Sequence, residues 1–475
     1  MYVGSRPLDG FGRRCVRRLQ WMGMLGSAAL ALSCARSSPP FDVVLVSWDT
    51  TRRDHLSAYG YERPTTPVFD ALAERGALFT QATAQMTITN PSHATMFTGL
   101  YPHTHGVGEN TRELPDELVS VTELLAEQGY QTGGFVSGHP LKPEITGIDQ
   151  GFQTYDGDLE RRRDGRDTLD RALEWLRGVD RERPFFLFVH FYDAHGPFRP
   201  PERYLEMFRS TEPGRQLEFV PQYQKVRDEN REVIRDLAAY VDRYDALLRY
   251  QDDLLGDLID ALDLERTLIV ISSDHGETLG DRASPLNLNH GTSVFEEQVA
   301  VPLLIYTPGG PAGVFDRPVE SVDLAPTLVD LLDLETPEGH RFEGDSMLPI
   351  LRGEADEGAP SFAFASNRAR SQNHSDRGYE LRNREFMHSV RDRRWKLIRY
   401  PGLERDYLEL YDLSADPREQ LELGARHPEV RDALLATLES WQLGGGEPDL
   451  DGPELDGAVD TEDLEQLRAL GYVDG

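Results

Sequence analysis

Four short apolar runs punctuate the chain: DVVLVS (42–47), FFLFVHF (185–191), TLIVISS (267–273) and VPLLIYT (301–307). Each is continuous, rich in β-branched or aromatic residues, and too short for a core helix, so each predicts a strand buried on both faces. Stretches with apolar residues at helical spacing lie between them, at 66–75, 118–128, 168–178, 231–262 and 321–333. The alternation predicts an α/β fold: a largely parallel sheet sandwiched by helices. After a polar segment, 353–383, read as a long loop, the pattern changes. FMHSVRD (386–392), WKLIRY (395–400) and YLELYDL (407–413) alternate like antiparallel strands, and 427–442 reads as a helix. Residues 386–442 are therefore expected to form a small C-terminal α+β subdomain, and 443–475 an acidic linker with a terminal helix.

The first residues follow another pattern. RRCVRR (13–18) precedes the apolar run WMGMLGSAALALS (21–33), which is too short to cross a bilayer and reads as a cleaved export signal over residues 1–33. Small residues before Cys34 resemble a bacterial lipoprotein cleavage site. The expectation is an exported protein, periplasmic or at the cell surface, touching membrane only through a lipid on Cys34. The other cysteine, Cys15, leaves with the signal, so the mature chain has no internal disulfide and no catalytic thiol. A formal net charge of -32 argues against nucleic acid or anionic lipid as partner. An anionic substrate would need local positive charge, which metal ions supply well. Nothing in the sequence sets an oligomeric state.

Polar clusters follow three of the predicted strands at once: Trp48-Asp49-Thr50, YDAH (192–195) and DHGE (274–277). Ligands of parallel sheets bind beyond the carboxyl ends of the strands. Taken singly, an Asp after a strand caps a helix and a lone His is structural. Taken together, Asp49, Asp193, His195, Asp274, His275 and His290 form a mixed carboxylate–imidazole set. Such donors suit zinc or a similar transition metal better than calcium, and they are too many for one tetrahedral ion. Two ions would clamp the attacking and leaving oxygens of a displacement. In TNPSHATMFTG (89–99), Pro91 and Gly99 predict a short helix over 91–98, with Thr89 at an N-terminus that favours anions. Thr89 is then either a helix cap or a hydroxyl nucleophile.

These motifs resemble the sulfatase family of the alkaline phosphatase superfamily. The resemblance runs through SWDTTRRDHLSAYGY (47–61), TNPSHATMFTGLYP (89–102), GYQTGGFVSGH (129–139), FYDAHGPFRPP (191–201), SSDHGETLGD (272–281) and NHGTSVFEEQVAVPLLIYTPG (289–309). ELYDLSADPREQLELG (409–424) resembles the family's terminal subdomain. By this resemblance 41–385 is a sulfatase-like catalytic domain. Sulfatases of the usual kind carry Cys or Ser, matured to formylglycine, where this chain has Thr89, and Arg where it has His93. Ser137 replaces a usual lysine, while His139 matches that motif's histidine. Thr89-Asn90-Pro91-Ser92-His93 is similar instead to nucleotide pyrophosphatase/phosphodiesterases, which pair a threonine nucleophile with two zinc ions. That likeness implies one ion on Asp49, Thr89, Asp274 and His275, and a second on Asp193, His195 and His290. It places Asn110 as an oxyanion donor, a position equally suited to a turn residue. His139 is implied at the substrate anion or leaving group, while Arg52 and Asp54 are expected to brace the Asp49 loop.

A formylglycine hydrate expels sulfate by collapsing to the aldehyde, whereas a threonine ester must be cleaved by water. The expected function is thus hydrolysis of an anionic ester, a phosphate (di)ester or a sulfate ester, through Thr89 and two divalent ions, zinc first and manganese or calcium as alternatives. A genuine sulfuric ester hydrolase, a phospho-group transferase and a catalytically inactive surface binding protein are the rival readings.

Overall fold

The structure, a computed structural model, describes residues 41–445 except 158, 160, 161, 283–287, 357, 360, 369–377, 383 and 384. The export signal, Cys15, Cys34 and the segment beyond 445 lie outside the described residues. Among the described residues no helix is long and apolar enough to cross a membrane.

Nine strands build the central sheet: β1 (Asp42–Trp48), β2 (Ala77–Thr83), β3 (Gln131–Val136), β4 (Thr154–Asp156), β5 (Phe185–Phe191), β6 (Thr267–Ser272), β7 (Ala300–Tyr306), β8 (Gly313–Phe315) and β9 (Val319–Glu320). Their order is β4-β3-β5-β1-β6-β7-β2-β8, with β9 also on β2. Pairings are parallel except that β7 runs antiparallel to both β6 and β2. Side chains alternate along β1 as a strand requires. Val44, Val46 and Trp48 enter one core with the helices Pro67–Ala73, Gly165–Gly178 and Leu237–Ile259. Val43 and Leu45 enter the other with the helices Thr89–Thr98, Val121–Glu127 and Leu324–Leu332. Both faces are covered, which is why these strands read as unbroken apolar runs.

Register fixes the site. Ser47 of β1 lies opposite His190 of β5 and Ser272 of β6, so the three neighbouring strands end at one level. The residues that follow them, Asp49, Asp193 and Asp274, start their loops on the same edge.

The segment 353–383 is not all loop. It carries β10 (Ala363–Arg368), which joins β11 (Phe386–Arg391), β12 (Trp395–Tyr400) and β13 (Tyr407–Asp412) in an antiparallel sheet of order β10-β11-β12-β13. The helix Pro428–Gly445 packs Leu434 and Leu438 onto Val390, Leu397 and Leu410 of that sheet. The sheet's other face meets Val294, Phe295 and Val299, ahead of β7. At this junction the buried Glu296 carboxylate takes Arg391 Nη1 at 2.7 Å and Lys396 Nζ at 2.9 Å.

Candidate active site

Asp49 ends β1 in a loop under strain. Thr50 holds φ 52°, unfavourable for a β-branched residue. It persists because both backbone groups are held: its N–H donates to Asp274 Oδ1 at 3.2 Å and its carbonyl accepts the Tyr244 hydroxyl at 2.7 Å. The next residue donates its N–H to Ser273 Oγ at 3.0 Å. Arg52, expected as a brace, pairs with Asp54 at 2.7 Å and Asp281 at 2.6 Å. These contacts tie the loop after β1 to the loop after β6.

That tie brings Asp49, Asp274 and His275 together, each with a ligand-type atom within 4.8 Å of the others'. All three are fully buried, and Asp49 Oδ1, Asp274 Oδ2 and His275 Nε2 have no hydrogen-bond partner among the described residues. Burial pushes the Asp49 carboxyl up to about 6. Asp274 is raised too, first by burial and then by the Asp49 charge. Two buried carboxylates and an imidazole, all with open atoms, suit a divalent cation, which would relieve both the desolvation and the repulsion. The donor set fits the ion that the sequence implied.

Thr89 opens the helix Thr89–Thr98, with Ile88 rather than Thr89 in the capping position. Its hydroxyl donates to Asp49 Oδ2 at 3.2 Å and so stands beside the three open ligand atoms. Asn110 is buried next to the same helix start: its Oδ1 accepts the Asn90 N–H at 2.8 Å, and its Nδ2 has no partner among the described residues. His139 is buried at the head of the short turn His139–Leu141.

A family model described as Sulfatase matches residues 42–334, from β1 through the helix Leu324–Leu332. The chain belongs to the sulfatase family. A second model, N-sulphoglucosamine sulphohydrolase C-terminal, matches residues 291–442. Arylsulfatase K of Xenopus laevis is 26% identical over 476 residues, spanning 86% of this chain and 84% of that protein. N-acetylglucosamine-6-O-sulfatase of Bacteroides thetaiotaomicron is 24% identical over 524 residues, spanning 88% and 90%. The phosphonate monoester hydrolase of Agrobacterium radiobacter superposes with a TM-score of 0.67 at 23% identity, over 86% of this chain and 96% of that one. A protein solved with its substrate D-glucosamine-2-N,6-O-disulfate gives 0.71 at 21% identity, over 87% and 100%. The two structures speak for the fold alone. As a sulfatase-family protein the chain is a hydrolase of ester bonds.

In this sulfatase-family site Asp193, His195 and His290, the second expected ligand set, are not gathered among the described residues as the first set is. His195 and His290 lie side by side, ring centroids 4.9 Å apart, and His290 stacks on His275 at 4.7 Å. Asp193 is divided: its Oδ1 accepts the Gly165 N–H at 3.1 Å, at the start of the helix Gly165–Gly178, while its Oδ2 is buried without a hydrogen-bond partner among the described residues. A Cβ at position 165 would come within 2.3 Å of Asp193 Oδ2. Burial, with Asp164 nearby, pushes this carboxyl up to about 7.

Two neighbours were missed in the sequence. Glu277, the last residue of DHGE, faces His290 Nδ1 at 3.1 Å and takes the Gln224 amide at 3.1 Å. Burial pushes Glu277 up to about 8 and His290 down to about 4, each toward its neutral form. His190, hidden in the apolar run of β5, donates Nε2–H to Asp49 Oδ2 at 3.3 Å. Its place in the last part of a strand that ends on the site was the available signal. His93 is structural, linking the Thr89 carbonyl at 2.8 Å to Ser47 Oγ at 2.9 Å. His105 likewise bonds Thr95 at 3.0 Å, and His103 stacks on Tyr101.

Proposed function

We propose that this protein hydrolyses anionic esters, phosphate diesters in first place, with Thr89 as nucleophile. The observation that carries the reading is the Thr89 hydroxyl at 3.2 Å from Asp49 Oδ2, beside three buried polar atoms with no hydrogen-bond partner among the described residues. We assign one ion to Asp49, Asp274 and His275. When bound, a divalent ion there supplies the charge that favours an ionised threonine hydroxyl and polarises an ester oxygen.

The remaining work falls to the chain. Asp49 Oδ2 orients the Thr89 hydroxyl for attack. The Asn110 NH2 is the donor available to the oxygen on which charge develops. The ester left on Thr89 has no internal exit, so water must cleave it, and we assign the removal of that water's proton to the Glu277–His290 pair. Since Asp193, His195 and His290 are not gathered as Asp49, Asp274 and His275 are, His195 and His290 serve this proton and substrate handling in our reading rather than a second ion. Phosphorus is preferred over sulfur because threonine lacks the aldehyde route by which a formylglycine ester expels sulfate. Sulfate ester hydrolysis through the same threonine is the competing reading, favoured by the names of the relatives.

The test is a rate comparison on aryl phosphodiester, phosphomonoester and sulfate esters sharing one leaving group, with added zinc or manganese and Thr89→Ala as control. A phosphate ester turned over fastest, with an inactive control, supports the proposal. Preference for sulfate overturns the phosphorus assignment, and an active Thr89→Ala variant overturns the nucleophile.

A further inference from the structure

Thr89 is held at both ends by histidines. Its carbonyl accepts the Nδ1–H of His93 at 2.8 Å. Its hydroxyl donates to Asp49 Oδ2, and the same oxygen accepts the Nε2–H of His190 at 3.3 Å. The two imidazoles meet edge to face, 5.1 Å between centroids at 89°. Both rings are fully buried. The tautomers follow from the partners: a carbonyl and a carboxylate only accept, so His93 carries its proton on Nδ1 and His190 on Nε2. His93 Nε2 is then free to accept from Ser47 Oγ at 2.9 Å. Ser47 lies opposite His190 in the β1–β5 register, so both tethers hang on one pair of residues in the sheet.

The Asp49 carboxylate is divided by this arrangement. Oδ2 carries Thr89 and His190, while Oδ1 is buried without a partner in the described residues, beside Asp274 and His275. Without the His190 donor, of the two side-chain hydrogen bonds that hold Oδ2 only that from the threonine hydroxyl would remain.

We propose that His190 is a positioning residue: its Nε2–H pins Asp49 Oδ2, which keeps that oxygen as the acceptor for Thr89 and directs Oδ1 to the metal. The role of Asp49 toward the ion and Thr89 rests on the reading above. Partners that orient a metal ligand in this way are worth about 10- to 100-fold in metal affinity or rate.

The experiment compares His190→Leu, which removes the donor, with His190→Gln, which returns an N–H at a similar reach, in the full purified chain. Manganese is titrated into metal-free protein and followed by calorimetry, and kcat, KM and Tm are measured alongside. His190→Leu is expected to weaken manganese binding about 10- to 100-fold and to lower kcat with KM within about twofold, while His190→Gln recovers most of both. Wild-type manganese affinity in His190→Leu overturns the proposal. Equal losses in the Leu and Gln variants, tracking a common fall in Tm, overturn it as well, since packing alone would then explain them. The binding titration needs no substrate. Failure of the ester assay therefore counts against the proposed reaction, while the titration still decides the role of His190.

Discussion

Asn110 Oδ1 accepts the backbone N–H of Asn90 at 2.8 Å, one residue beyond Thr89. The bond satisfies an open N–H at the start of the helix and commits the amide's oxygen, which leaves the NH2 for other work. Asn110→Asp keeps the acceptor and removes the donor. It is expected to lower kcat about 10²- to 10³-fold with little change in Tm. Asn110→Ala removes both and should lower kcat and Tm together. Steady-state kinetics with thermal melts on both variants separate the two roles.

Metal removal should destabilise the fold. Asp49 and Asp274 are buried together; burial raises the cost of ionising both, and the Asp49 charge adds to that of Asp274. A cation at 100 times its dissociation constant contributes about 2.7 kcal/mol. Chelation is expected to lower Tm, and zinc or manganese to restore it. Asp274→Asn should melt higher than the metal-free wild type and lose the response to metal. Calorimetric scans with and without chelator check both.

Arg52 sits between Asp54 and Asp281, bonded to both and almost fully buried. Arg52→Met leaves the mostly buried Asp281 and the exposed Asp54 without their cation. The expected cost, set mainly by Asp281, is about 1–3 kcal/mol, read as a fall in the denaturant midpoint. Arg52→Lys should recover only part of it, because an ammonium cannot bridge both carboxylates with paired bonds.

Stability should also carry a pH signature from Asp252. This buried side chain accepts the Val68 and Phe69 N–H groups at 2.8 Å each, at the start of the helix Pro67–Ala73. Burial nevertheless pushes its carboxyl up to about 7 from the usual 3.8. The folded state keeps a proton that the unfolded chain releases first, so this group's contribution falls as pH rises from about 4 to 7. Asp252→Asn is expected to flatten that part of the stability profile. Urea midpoints measured across the interval decide it.

What was legible in the sequence follows the physics of burial. β1, β5 and β6 are sandwiched between helices, so their apolar runs announce them. β2 was not read, because Thr80 and Gln81 interrupt ALFTQAT where the strand is half-buried. β3 was hidden by Gly133 and Gly134, which are needed because Trp175 and Tyr155 rings press on the backbone there: a Cβ would meet them at 2.7 and 2.6 Å. In the site, Asp49, Asp274 and His275 could be found as polar residues just past apolar strands. His190 was harder to find, since one polar residue in a strand looks like packing and only its place near the end of β5 pointed to the site. The direction of Asp193 depends on a helix start 28 residues earlier in the chain, a relation that local sequence does not carry.

The junction at Glu296 bears on how the protein comes into being. The carboxylate lies just ahead of β7, but its cations Arg391 and Lys396 follow 95 and 100 residues later. A chain still being made, or one cut short before β11, holds that carboxylate and the neighbouring Phe295 and Val299 without the sheet that covers them. Completion of the C-terminal sheet is thus a condition for covering the segment that leads into β7, and a nonsense change ahead of β11 should act as a loss of the whole enzyme.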